Sequence, residues 1–145
     1  MGGNERANRE NLGYLLAKAS QRWNELLYAE FVRAEYPEVR PAYGSVLLPL
    51  FEEDGLRMGK LAARARLSKQ TMTTLVRLME RNGLVRRERD PEDGRAYRVL
   101  LTPRARSFEA VAERVLARLD GLVAARLSET DRATLTGSLK EVMSL

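Results

Sequence analysis

The feature that most constrains this chain is a change of hydrophobic period that occurs once and then reverts. From Arg9 to Asn82 and again from Pro103 onward, apolar residues recur mainly every three or four positions, as on one face of a helix. Between them lie two short runs, Leu84 to Arg89 and Tyr97 to Leu101, joined by Asp90-Pro91-Glu92-Asp93-Gly94-Arg95-Ala96. That loop is rich in turn formers, and Val99 and Leu101 alternate with Arg98 and Leu100, the pattern of a half-buried strand. A helical chain with one β-hairpin inserted near its middle is a narrow class of fold.

The helical segments have readable ends. Arg9 to Tyr36 carries Leu12, Leu15, Leu16, Ala19, Trp23, Leu26, Leu27 and Phe31 on one face, and Pro37 forces an end before it. Pro41 opens a second helix bearing Tyr43, Val46, Leu47, Leu50 and Phe51, with a kink or early stop expected at Pro49. After Gly55, Leu56-Arg57-Met58 reads as a short extended stretch able to pair with the hairpin. A short helix from Gly59 to Arg66 and a longer one from Lys69 to Arg81 follow, separated by Leu67 and the N-capping Ser68; Asn82-Gly83 ends the second. Met72, Leu75, Val76 and Met79 are its expected core positions. Thr102-Pro103 starts another long helix with Phe108, Val111, Val115, Leu119, Leu122 and Val123 on one face. Ser128-Glu129-Thr130-Asp131 starts the last, with Leu135, Leu139, Val142 and Met143 inside.

Composition removes most chemistry. At 145 residues the chain suits one domain, and it lacks both Cys and His. Thiol and imidazole catalysis, Cys/His metal sites and disulfides are therefore excluded, and the acidic residues sit on polar faces where nothing perturbs them, so no enzyme, metal or cofactor is expected. No apolar run reaches the ~18 residues of a membrane span, and the start lacks a signal-peptide core, which points to a cytoplasmic protein. The net charge of +5 is unevenly placed: Arg57 to Arg106 holds 14 Lys/Arg and 5 Asp/Glu, the rest of the chain 11 and 15. A cationic third of this kind fits a phosphate backbone.

Two short helices joined by a tight turn and followed by a basic hairpin form a winged helix-turn-helix. Leu61-Ala62-Ala63-Arg64-Ala65-Arg66-Leu67-Ser68-Lys69-Gln70-Thr71-Met72-Thr73-Thr74-Leu75-Val76 has that pattern, continued by Leu78-Met79-Glu80-Arg81-Asn82-Gly83-Leu84-Val85 and by the wing Asp90-Pro91-Glu92-Asp93-Gly94-Arg95 leading to Leu101-Thr102. Together these segments resemble the MarR (multiple antibiotic resistance regulator) family over nearly the whole chain. The resemblance implies a single domain over 1–145, mainly helical with a β-hairpin wing: helices in 9–36 and 103–145 form a dimerisation domain, and 41–102 the DNA-binding region. The sequence departs from the family at Arg66, a turn position often held by glycine.

Site residues follow from their places on this framework. Ser68, Lys69, Gln70 and Thr73 lie at the start of the recognition helix, where side chains reach base edges, with Arg77 one turn on. Gln70 suits adenine, and Lys69 guanine or phosphate. Arg95 at the wing tip suits a narrow minor groove, which concentrates negative potential. The resemblance implies that Asp93 helps to hold it. Arg86, Arg87, Arg89 and Arg98 are expected to meet phosphates. The first and last two helices expose more apolar surface than one small unit covers, so a symmetric homodimer reading a pseudo-palindrome of double-stranded DNA is expected, acting as a repressor. The resemblance further implies a pocket for a small aromatic or phenolic effector, with Trp23, Tyr28, Tyr43 and Phe51 as lining candidates, although aromatics at helical spacing are more often plain core. Two rivals stay open: a winged-helix module that binds protein, and an architectural protein that binds DNA without sequence preference.

Overall fold

The computed structural model describes residues 10–145; the expectations for the first nine residues, including a helix start at Arg9, lie outside them. Helix α1 (Leu12–Arg33) is capped by Asn11, whose Oδ1 accepts from the backbone N–H groups of Gly13 and Tyr14. A 3-10 turn over Pro41–Tyr43 leads into α2 (Gly44–Glu52), which runs through Pro49 and stops about one turn later. Strand β1 (Leu56–Arg57), α3 (Met58–Ala65), α4 (Lys69–Arg81), β2 (Val85–Arg89) and β3 (Tyr97–Leu101) form the central unit, and α5 (Pro103–Ala124) and α6 (Glu129–Met143) complete the chain.

The three strands make an antiparallel sheet in the order β1-β3-β2, with Leu56 opposite Val99 and Val85 opposite Leu101. This places apolar residues of all three strands on one face, over α3 and α4. Leu61, Met72, Val76, Met79, Leu84 and Val99 are fully buried there. The core continues to α1 and α5 through Phe31, whose ring meets Phe108 edge-on at 4.9 Å. The start of α5 is pinned by Arg104, which donates to Glu38 Oε1 and to the Glu35 carbonyl, each at 2.6 Å, and lies 3.8 Å over the Tyr36 ring.

Several expectations need correction. The first helix stops at Arg33 rather than Tyr36, because Glu35 turns left-handed (φ 69°) and the N–H of Tyr36 donates back to the Phe31 carbonyl. Arg66 does the same at the end of α3 (φ 55°), so the position usually given to glycine holds a left-handed arginine, and Gly83 repeats the motif after α4. Met58 opens α3 instead of extending the strand, and Leu84 precedes β2. Leu75 is only half-buried, and Leu122 is exposed. The largest correction concerns α6: Leu135, Leu139 and Met143 are exposed, Val142 is half-buried and no residue of that helix is buried, since little among the described residues packs over its apolar face.

Candidate nucleic-acid interface

Ser68 sets the origin of α4. Its Oγ accepts from the Thr71 N–H at 3.0 Å and its hydroxyl donates to Thr71 Oγ1 at 2.9 Å, which fixes the first turn of the helix. With Met72, Val76 and Met79 turned into the core, the helix repeat leaves Gln70, Thr74 and Arg77 on the opposite face, all exposed. Lys69 is also exposed. Thr73 lies to the side, half-buried, and donates to the Lys69 carbonyl at 2.8 Å. Thr74, which the sequence reading passed over, occupies the middle of the outward face.

The wing is organised by a residue the sequence reading did not single out. Asp90 is 2% exposed. Its Oδ2 meets Arg57 Nε at 2.5 Å and Arg98 Nε at 3.4 Å, while its Oδ1 accepts from the Glu92 N–H at 2.8 Å. The Glu92 N–H foremost, then the Arg57 guanidinium, hold its carboxyl down at about 2 against the opposing effect of burial. Asp90 thus joins the base of the wing to the start of α3. Asp93 holds Arg95 through the backbone: its Oδ1 accepts from the Arg95 N–H at 3.1 Å, and the Arg95 guanidinium has no ion pair among the described residues.

Charge pairing divides the basic segment in two. Arg57 and Arg98 share Asp90, while Arg64 meets Glu53, Arg86 meets Glu88, Arg87 meets Glu80, Arg104 meets Glu38 and Arg106 meets Asp54. The Arg87 to Glu80 approach, 2.6 Å, is a contact of opposite charges without hydrogen-bond alignment. Among the described residues Lys60, Arg66, Lys69, Arg77, Arg81, Arg89 and Arg95 have no carboxylate partner. Of the expected DNA contacts, Arg86, Arg87 and Arg98 are therefore already engaged within the chain, whereas Lys69, Arg77, Arg89 and Arg95 have no carboxylate partner among the described residues.

The aromatic candidates separate likewise. An apolar cavity of about 250 Å³ lies between α1, α2 and α5, with Trp23 and Phe51 in its wall, Phe31 and Phe108 at its floor and Arg40 at its rim. Tyr28 and Tyr43 do not line it. Tyr43 is buried core whose hydroxyl accepts from Asn82 Nδ2 at 2.6 Å, and Tyr28 donates to the Pro37 carbonyl at 3.0 Å with Arg40 stacked on its ring. No group of acidic residues able to hold a metal ion occurs among the described residues.

A helix-turn-helix with a three-stranded wing, and cations concentrated on its second helix and hairpin tip, defines a winged-helix protein. Comparison with known proteins narrows the class. The MarR family profile matches residues 41–97. An HTH-type transcriptional repressor of Mycobacterium bovis is 32% identical over 95 residues, which is 66% of this chain and 68% of that protein. A putative transcriptional regulatory protein for the hcr operon of Thauera aromatica is 31% identical over 104 residues, 72% of this chain; the match spans 63% of that relative, just under two thirds of its length. Among solved structures, the transcriptional repressor CouR bound to a 23-mer DNA duplex is 27% identical with a TM-score of 0.78, over 94% of this chain and 95% of that one. The chain belongs to the MarR family, whose matching relatives are transcriptional regulators and not enzymes.

Proposed function

We propose that this protein is a homodimeric repressor that recognises a pseudo-palindromic operator, with α4 in the major groove of each half-site and the wing in the adjacent minor groove. The observation that carries the reading is the division of the basic residues. The cations without internal partners include Lys69 and Arg77 on α4 and Arg95 at the hairpin tip, while on the strands Arg57, Arg86, Arg87 and Arg98 are held by carboxylates and Arg89 is not. Guanidinium and ammonium groups left unpaired on a recognition surface are available to phosphates and base edges without first breaking an ion pair. The relatives support it: CouR is described on DNA, and the mycobacterial relative as a repressor.

In this reading Gln70 pairs with adenine, Lys69 and Arg77 take guanine or phosphate, Ser68 fixes the helix start with Thr73 beside the base edges, and Arg95 enters the narrow groove. Arg86, Arg87 and Arg98 shape the wing and contribute to phosphate affinity through their remaining donors. A small aromatic effector occupies the cavity beside Trp23 and Phe51 and alters the spacing of the two heads. At about 250 Å³ that cavity suits a single ring better than a fused system.

Selection from a random duplex library at near-physiological salt tests the proposal. An inverted repeat with half-sites one helical turn apart is expected, and Arg95→Ala should lose roughly 1 to 3 kcal/mol on it. Binding without enrichment would establish the architectural rival, and absence of binding to any duplex at low salt would leave only the protein-binding one.

A further inference from the structure

The central side chain on the outward face of α4 offers no free hydroxyl hydrogen. Thr74 Oγ1 donates to the Gln70 carbonyl at 3.1 Å, and Thr73 makes the same bond to the Lys69 carbonyl at 2.8 Å. With the hydroxyl hydrogen engaged by the helix backbone, the Cγ2 methyl is the group this exposed residue keeps free for a partner. Gln70 and Arg77 flank it on the same face, and a shallow recess beside it is walled by Gln70, Thr71, Thr74, Leu75 and Leu78. Leu78, an apolar group, is exposed there.

In the major groove only thymine presents a methyl group, at C5. A methyl surface set between a side chain suited to adenine and an arginine therefore matches one feature of one base. We infer that Thr74 is a specificity-determining residue whose Cγ2 methyl packs against the C5 methyl of a thymine in each half-site, next to the adenine that Gln70 reads. The inference rests on the placement of α4 in the major groove and adds to it a named base and a named atom. Removing one buried methyl group from such a contact corresponds to roughly a fourfold loss of affinity per half-site.

Single-atom-group substitutions on both sides of the contact provide the test. Each thymine of the selected operator is replaced in turn by deoxyuridine, symmetrically in both half-sites, and affinities are measured for the native protein, Thr74→Ser and Thr74→Val. Serine keeps the back-bonded hydroxyl and removes the methyl; valine removes the hydroxyl and keeps a methyl surface. One deoxyuridine position should weaken the native protein about tenfold or more, the two half-sites acting together. Thr74→Ser should bind the thymine and deoxyuridine duplexes equally, at the weaker level, and Thr74→Val should keep the preference for thymine. If the native protein ignores every deoxyuridine replacement, or Thr74→Ser retains the full preference, the contact is wrong while operator recognition stands. A library that yields no enriched sequence overturns the groove placement and this contact together. Melting temperatures of the two variants close to the native value show that the affinities report on the contact and not on folding.

Discussion

Glu35 and Arg66 hold the same left-handed backbone conformation for different ends. Each terminates a helix by letting the following N–H reach back to a carbonyl, a position where a side chain with a Cβ is disfavoured by roughly 1 to 2 kcal/mol. The Glu35 side chain is exposed and makes no hydrogen bond or ion pair among the described residues, so Glu35→Gly should raise stability by about 0.5 to 1 kcal/mol once the extra freedom of glycine in the unfolded chain is deducted. Chemical denaturation measures this directly, and a lowered midpoint would contradict it. Arg66 differs because its Nη1 donates to the Met143 carbonyl at 2.8 Å, joining the turn before α4 to the end of α6. Arg66→Gly should therefore gain less than Glu35→Gly. On the surface proposed to meet DNA the contrast is between Arg95 and Arg98. Arg95→Ala should weaken operator binding with little change in melting temperature, whereas Arg98→Ala should lower both, since it takes one of two guanidinium partners from a buried carboxylate. Paired melting and binding measurements separate the two.

The wing is the element in which these residue effects combine. Its tip is set by Asp93 and its base by Asp90, which links β3 to Arg57 at the entrance to α3, 33 positions earlier in the chain. The Asp90 carboxyl lies below its unfolded value of about 4, so the stability it contributes is complete above that pH and is lost as pH falls toward about 2. Native stability should therefore decline between pH 4 and pH 2, and Asp90→Asn, already less stable at pH 7, should decline less over that interval. Denaturation midpoints at pH 7, 4, 3 and 2 would show it; parallel curves for the two proteins would remove Asp90 from the wing's stability. The same element shows what the sequence reveals and what it conceals. The bounds of α4 were readable because Ser68 and Asn82-Gly83 are strong boundary signals, and the hairpin because its loop is rich in turn formers. The end of α1 was not, because its left-handed residue is a glutamate rather than a glycine. Asp90 was concealed among acidic loop neighbours: only the pairing of β1 with β3 brings Arg57 and Arg98 to the same carboxylate, and no local pattern encodes that. Thr74 was missed because a threonine advertises a hydroxyl, and which of its two groups faces out depends on a bond to the preceding turn.

At the scale of the whole molecule, most of the exposed large apolar residues lie in the chain-terminal helices and the distal end of α5, while Leu48, Leu78 and Tyr97 lie elsewhere. Leu12 and Leu15 on α1, Leu122 on α5, and Leu135, Leu139 and Met143 on α6 are all exposed, although their spacing is that of a buried face. An apolar face repeated on helices that sit outside the winged unit is what a second copy of the chain would cover, and two copies related by a twofold axis would present two α4 helices to one side of a duplex. Leu135→Lys combined with Leu139→Lys places two charges on that face of α6 without touching the core, since neither residue is buried. The expected outcome is a monomer that keeps its helical content and its cooperative melting. Sedimentation equilibrium should give a mass near 16.4 kDa for the variant and twice that for the native protein. Operator affinity should fall more than tenfold, and the slope of log affinity against log salt should fall by about half, because one reading head meets half the phosphates. A native protein that is already monomeric, or a variant that stays dimeric with an unchanged salt slope, would separate operator reading from this surface. Arg66 links the two measurements: its bond to the Met143 carbonyl ties the turn preceding α4 to the helix that carries the substitutions, so a displacement of α6 would be passed to the start of α4.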